Sequence, residues 1–154
     1  HIPIFILYAS PEIESWFIAD WDNGFGYLYN SDGCVTDIDI PAKKFFSHHL
    51  KQYINLYILK EYSNDIENYG YFNQIYYKLS DQIIEAIQTN VKEYISALPN
   101  TSELYAEQIS SSRELYYSKK LHGDRMLRNL EPSILSKKCR HFFFPVYNML
   151  SNFN

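Results

Sequence analysis

"SPEIESWFIAD", residues 10–20, follows a continuous apolar run, "PIFILY" at residues 3–8, and the junction between the two decides how the chain is read. The run is rich in β-branched and aromatic residues and leads into Ser10 and Pro11, both turn-forming types. It predicts a strand buried on both faces, the kind found in parallel sheets. Such a strand needs partners, either elsewhere in the chain or upstream of His1. Ser10 is a good N-cap and Pro11 a good first helical residue, so a helix is expected over about 11–20. Ile13, Trp16 and Phe17 give that helix an apolar stripe. One buried strand followed by helices predicts an α/β chain that is mostly helical.

Further helices follow from periodicity. From Pro41 to about Tyr62, the residues Phe45, Phe46, Leu50, Tyr53, Ile54, Tyr57 and Ile58 keep helical spacing. Another helix is expected from an N-cap at Ser80 to about Ala97, with Ile83, Ile84, Ile87, Val91, Tyr94 and Ile95 inward and "LPN" ending it. Thr101 caps a helix to about Ser110, and "RELYYSKKL" (113–121) predicts one that breaks near Gly123. Shorter helices are expected over about 124–130, 132–139 with Pro132 at its start, and 144–151. Residues 21–40 are loop-like, with turns at Asp22–Gly24 and Ser31–Gly33 and room for a short hairpin.

The chain has 154 residues, 46% of them hydrophobic, which suits a single domain over 1–154 and is too little for two comfortable ones. Cys34 and Cys139 have no CxxC spacing, so neither a zinc site nor a disulfide framework is expected, and a reducing compartment fits better. No apolar run approaches the roughly 20 residues that span a bilayer. "IPIFILY" is too short for a signal peptide and has no basic flank. These features predict a cytoplasmic protein with no membrane partner. The chain starts at His1 without Met, which suggests a fragment of something longer.

Charge is unevenly placed. Residues 1–112 carry six Lys/Arg against fifteen Asp/Glu, whereas residues 113–140 carry eight against three. A basic C-terminal segment suits an anionic partner, and equally suits solvated helix faces.

Three sets of residues could carry chemistry. Glu12 and Glu14 sit where a strand would end, a preferred ligand position in α/β folds, and carboxylates suit Mg²⁺ or Mn²⁺. Residues two apart on a regular helix point about 200° away from each other, so at most one would face an ion unless Glu12 precedes the helix proper. Acids in a first turn also complement the helix dipole without any ligand. Asp37 and Asp39 form a D-x-D with same-side geometry on an extended strand, but in a loop-rich region. His48 and His49, adjacent on a helix, diverge by about 100° and make a poor chelate. "YSKKLHGDRM" (117–126) gathers Lys119, Lys120, His122 and Arg125 around Gly123. Such a cluster can neutralise phosphate oxygens, or form a basic helix C-terminus closed by a glycine cap.

Two separated segments together resemble a known family. "ASPEIESWFIAD" resembles the E-x-E-x-W-[LF]-x-A-D segment of a Toprim-like family of unknown function, related to the RloB-like proteins and the OLD-family nucleases. "YSKKLHGDRMLRNL" and "KKCRHF" are similar to that family's closing Y-x-K-x-x-H-G and C-x-x-F. The resemblance implies the C-terminal part of a Toprim-like fold and a Mg²⁺-dependent nuclease acting in bacterial anti-phage defence beside an ATPase partner. Residue by residue it implies Glu12 and Glu14 as metal ligands, Trp16 as a packing aromatic and Asp20 as the acid ending the helix. Glu14, Lys119 and His122 would be the catalytic set, and Cys139 and Phe142 match the C-x-x-F. A nucleic-acid substrate would lie along Lys119, Lys120, Arg125 and Arg128. The chain departs from the family in one respect. The Toprim glutamate and D-x-D normally precede the E-x-E, and only eleven residues precede Glu12 here. The expectation is therefore either that those ligands lie upstream of His1 or that this chain cannot complete a two-metal site. A non-catalytic module that binds a partner protein through its aromatic helices is the alternative.

Overall fold

Helix α1 (Glu14–Ala19) is buried on every side. A helix apolar around most of its circumference belongs inside a protein, and "SWFIA" supplies that surface. Trp16, Phe17 and Ile18 are each at most 7% exposed, and burying side chains of this size stabilises by about 1.5–3 kcal/mol apiece. The molecule is known here from a computed structural model, which describes residues 9, 12–30, 43–72, 78–97, 99, 102–104 and 117–153.

Around α1 lie α2 (Phe25–Asn30), α3 (Lys43–Tyr53), a π-helical turn (Ile54–Leu59) and a 3₁₀ turn (Lys60–Asn64). They are followed by α4 (Ile66–Phe72), α5 (Leu79–Ser96), α6 (Lys119–Asn129), α7 (Pro132–Lys138) and α8 (Phe143–Ser151). Helices α4, α5 and α7 pack on α1, α2 packs on α3 and α6, and α8 packs on α7. Trp16 meets Phe143 of α8 edge to face at 5.3 Å, so the first and last helices share one core. Among the described residues regular structure is helical and no strand occurs. The strand expected at 3–8, the helix cap at Ser10–Pro11 and the D-x-D at Asp37 and Asp39 lie outside the described residues. So does most of the helix expected from Thr101 to Ser110, of which Glu103 and Leu104 are helical.

Helices α5, α7 and α8 fall where periodicity places them, α7 with Pro132 in its first turn. Four expectations need correction. The first helix begins at Glu14 rather than near residue 11, after a turn at Ile13. The loop-like segment contains α2. Gly24 is needed there for closeness, because a Cβ would stand 2.2 Å from the Phe17 carbonyl oxygen. The helix from Pro41 to Tyr62 is not uniform, since its gauge changes at Ile54. The wider π turn shifts the register, so Leu59 is fully buried while Tyr57, placed inward by a 3.6-residue period, is 65% exposed. Finally, Gly123 does not break a helix. Helix α6 runs through it, and Lys119 and Lys120 open that helix instead of closing one.

Candidate functional site

Each acid flanking α1 has a defined partner. The Glu12 Oε2 accepts the Ser80 backbone N–H at 2.8 Å, satisfying a free donor at the start of α5. Asp20 is 2% exposed, and its Oδ2 accepts the Glu131 N–H at 2.8 Å, just before α7. In return, Lys138 at the end of α7 donates to the Ala19 carbonyl at 2.7 Å. Glu67, fully buried on α4, accepts the N–H groups of His141 (2.6 Å), Phe142 (3.1 Å) and Phe143 (3.0 Å), where α8 starts. Three carboxylates thus cap three helices through main-chain donors.

Glu14 differs. It is fully buried, and its Oε1 accepts the Tyr117 hydroxyl at 2.6 Å and lies 3.2 Å from the Lys119 ammonium. Both partners are side chains, and Tyr117 lies 103 positions away in sequence. The other oxygen, Oε2, is buried and meets no hydrogen-bond partner among the described residues. An unsatisfied buried acceptor costs about 1–3 kcal/mol, more for a charged group, so it is a feature to be explained. Lys119 is 53% exposed, so the pair bridges the core and the surface.

The backbone places this pair economically. Ser118 is extended, and α6 begins at Lys119. A cation in a first helical turn opposes the dipole by about 0.3–1 kcal/mol, and Glu14 offsets that. The Tyr117 ring packs edge to face on Phe25 at 5.1 Å, which holds the hydroxyl over Glu14. His122 turns back to the same corner, its Nδ1 accepting the Ser118 N–H at 2.9 Å. Burial, aided by the nearby Arg125 guanidinium, lowers the His122 pKa from 6.5, favouring the neutral ring. With Nδ1 accepting, the neutral ring carries its proton on Nε2.

Of the residues singled out from sequence, Glu14, Lys119 and His122 come together in this corner. Glu12 does not join them: it precedes the helix proper, where the two-residue spacing sets no direction, and its carboxylate turns to Ser80 instead. Lys120, Arg125 and Arg128 are exposed on α6, where Arg128 pairs with Asp124 at 3.0 Å. His48 and His49 are exposed side by side. Cys139 is a buried free thiol. Sequence reasoning passed over Tyr117 as a working residue, although it stands two before Lys119 in the quoted motif. It also passed over Glu67, whose long-range role has no local signal. Among the described residues no three His, Cys, Asp or Glu side chains converge as a metal site would require. Searches against protein-family models, curated proteins and solved structures find no match to this chain.

Proposed function

We propose that this chain is part of a Mg²⁺- or Mn²⁺-dependent nuclease of the Toprim-like kind, with Glu14 and Lys119 on one wall of a phosphodiester-cleaving site. The supporting observation is the approach of these two residues to 3.2 Å while Glu14 Oε2 remains uncommitted among the described residues. The donor set fits a hard cation at one coordination position only, with Oε2 as the oxygen ligand. The Glu12 Oε2 is already taken by the Ser80 N–H. Further ligands would come from outside the described residues. A bound ion of this type supplies Lewis-acid polarisation of a phosphate and an activated water.

The chain's own residues would then divide the remaining work. Tyr117 fixes one Glu14 oxygen and so orients the other. Lys119, half in solvent, stabilises charge on phosphate oxygens, and Lys120, Arg125 and Arg128 hold a nucleic-acid backbone. His122, kept neutral with Nδ1 taken by the Ser118 N–H, would offer its Nε2–H as a hydrogen-bond donor to a phosphate oxygen. The setting, anti-phage defence with an ATPase partner, rests on the motif resemblance.

The test uses Glu14→Gln and Lys119→Met in the full chain, with labelled single- and double-stranded DNA and RNA as substrates and Mn²⁺ as the probe ion. Loss of cleavage in both variants, each still folded at the assay temperature by circular dichroism, is the expected result. A saturating ion should also raise the wild-type midpoint, by about 2.7 kcal/mol of stability at a hundredfold excess over Kd. Equal cleavage by wild type and both variants overturns the proposal.

A second reading has its own observation. Met149, Leu150 and Phe153 stand 47%, 47% and 65% exposed at the end of the chain, as a protein-binding module would present them. Neither cleavage nor ion-dependent stabilisation in the wild type would favour that reading.

A further inference from the structure

A second candidate site lies away from Glu14, where α3 changes gauge. The π turn at Ile54–Leu59 ends at Lys60, whose φ of 51° and ψ of −122° are unfavourable for a residue with a side chain. Neither feature yields burial at the outward positions, because Leu56 and Tyr57 are 67% and 65% exposed. π turns inside helices are frequent at functional sites, and the register shift that buries Leu59 turns Tyr57 outward, which is a reason to look for a ligand there.

The bulge faces α5 across a hollow. One lobe, about 350 Å³, is walled by Tyr57, Tyr62, Tyr69 and Gln82, with Lys60 and Glu61 at its edge. A second, about 200 Å³, shares Tyr57 and Gln82 and adds Tyr53 and Glu85. The Tyr62 and Tyr69 rings stand 6.2 Å apart at 68°, and those of Tyr53 and Tyr57 stand 4.8 Å apart at 45°. Tyr69 donates to Gln82 Oε1 at 2.8 Å, which fixes the amide between the lobes.

Four electron-rich rings, two carboxylates and a single ammonium make these walls acceptor-rich. Ring faces attract cations within about 6 Å, and carboxylates at the rim reinforce that attraction. The geometry points to a binding site for a small organic cation, an alkylammonium or guanidinium group, in the tyrosine-walled hollow between the π turn and α5. The group can come from a free amine or from a basic peptide side chain, since both present the same chemistry. This inference is independent of the nuclease reading.

The experiment is an NMR titration of the full chain, labelled in its tyrosine rings, with tetramethylammonium chloride at constant ionic strength. Neopentanol serves as the neutral probe of similar shape. Saturable shifts of the Tyr57 ring with the cation and none with neopentanol are expected. Tyr57→Leu, at an exposed position, should weaken the cation's Kd at least tenfold, and Glu85→Gln about threefold. Glu93→Gln, exposed on the same helix outside the hollow, should leave it unchanged. An equal response to neopentanol, no saturable shift, or an unchanged Kd in Tyr57→Leu overturns the inference. Once cation binding is established, putrescine and an N-acetyl-lysine amide identify the source by which binds more tightly.

Discussion

Replacing Tyr117 with Phe removes one oxygen from the Glu14 corner and leaves the ring in place. The Phe25 contact at 5.1 Å is kept, so the change isolates the hydroxyl. Tyr117 is 2% exposed and Glu14 is fully buried, so water is poorly placed to replace the 2.6 Å bond. Hydrogen bonds to charged groups contribute about 1.5–3 kcal/mol. Lys119 still faces the carboxylate but is half in solvent, which limits its compensation. The expected loss is about 2 kcal/mol, or roughly 4–8 °C in Tm for a chain of 154 residues. Urea unfolding at unchanged m-value measures it directly. A cycle with Glu14→Gln adds a second check. The amide oxygen can still accept the phenol, but as a neutral acceptor, so a coupling of about 1 kcal/mol is expected. If Tyr117→Phe unfolds within 0.5 kcal/mol of wild type, the hydroxyl is not holding a dehydrated carboxylate, and the reasoning about Glu14 fails with it.

Three further outcomes can be checked. Gly24→Ala would put a Cβ 2.2 Å from the Phe17 carbonyl oxygen and 2.7 Å from its Cα, so α1 and α2 must separate; equilibrium unfolding should show a loss above about 3 kcal/mol, and a near-neutral result would disprove the close approach. Because His122 titrates below 6.5 in the folded chain, the unfolded chain binds more protons just under that pH; stability should therefore fall as pH drops below about 6.5, and His122→Gln should flatten part of that slope in urea titrations from pH 5 to 7. Burial, then the Glu67 charge, push the Cys139 thiol up to about 12 against the opposing pull of Lys138; in a Cys34→Ser background a disulfide reagent at pH 8 should label it only after denaturant is added, and labelling of the native chain would contradict the placement.

The sequence carried the local periods well and the long-range contacts poorly, for physical reasons visible at particular residues. Helix α5 was legible because Ile83 and Ile87 repeat at a helical spacing that only burial rewards, and both are fully buried. Helix α7 was legible from Pro132, whose missing N–H fits a first turn. Helix α2 was hidden because Gly24 reads locally as a turn, whereas its purpose is to let backbone approach backbone. The π turn was hidden because a periodic pattern cannot report where the period changes. Gly123 looked like a stop, yet a helix already anchored by buried His122 and Met126 tolerates a glycine at about 0.5–1 kcal/mol. At the site, the spacing of Glu12 and Glu14 did not decide whether the two diverge, because Glu12 precedes the helix. The destinations of the two were not legible, because Ser80 and Tyr117 lie far along the chain.

The sorting of the buried and half-buried carboxylates gives the strongest structural reason to look at Glu14. Glu12, Asp20 and Glu67 accept main-chain N–H groups at helix starts, and removing such an acceptor strands a donor whose position is fixed by the helix. Those three acids have little freedom to meet a ligand without loosening the fold. Glu14 is held by two side chains, one of them 53% exposed, and has an oxygen with no hydrogen-bond partner among the described residues. Lys119 can swing to an incoming phosphate without breaking any helix, and the carboxylate it leaves is still gripped by Tyr117. An acid that serves only to stabilise would be expected to resemble the other three. The arrangement at Glu14 instead keeps a charge in the core with a movable partner at the surface, which is what exchange of that partner for a substrate or an ion requires.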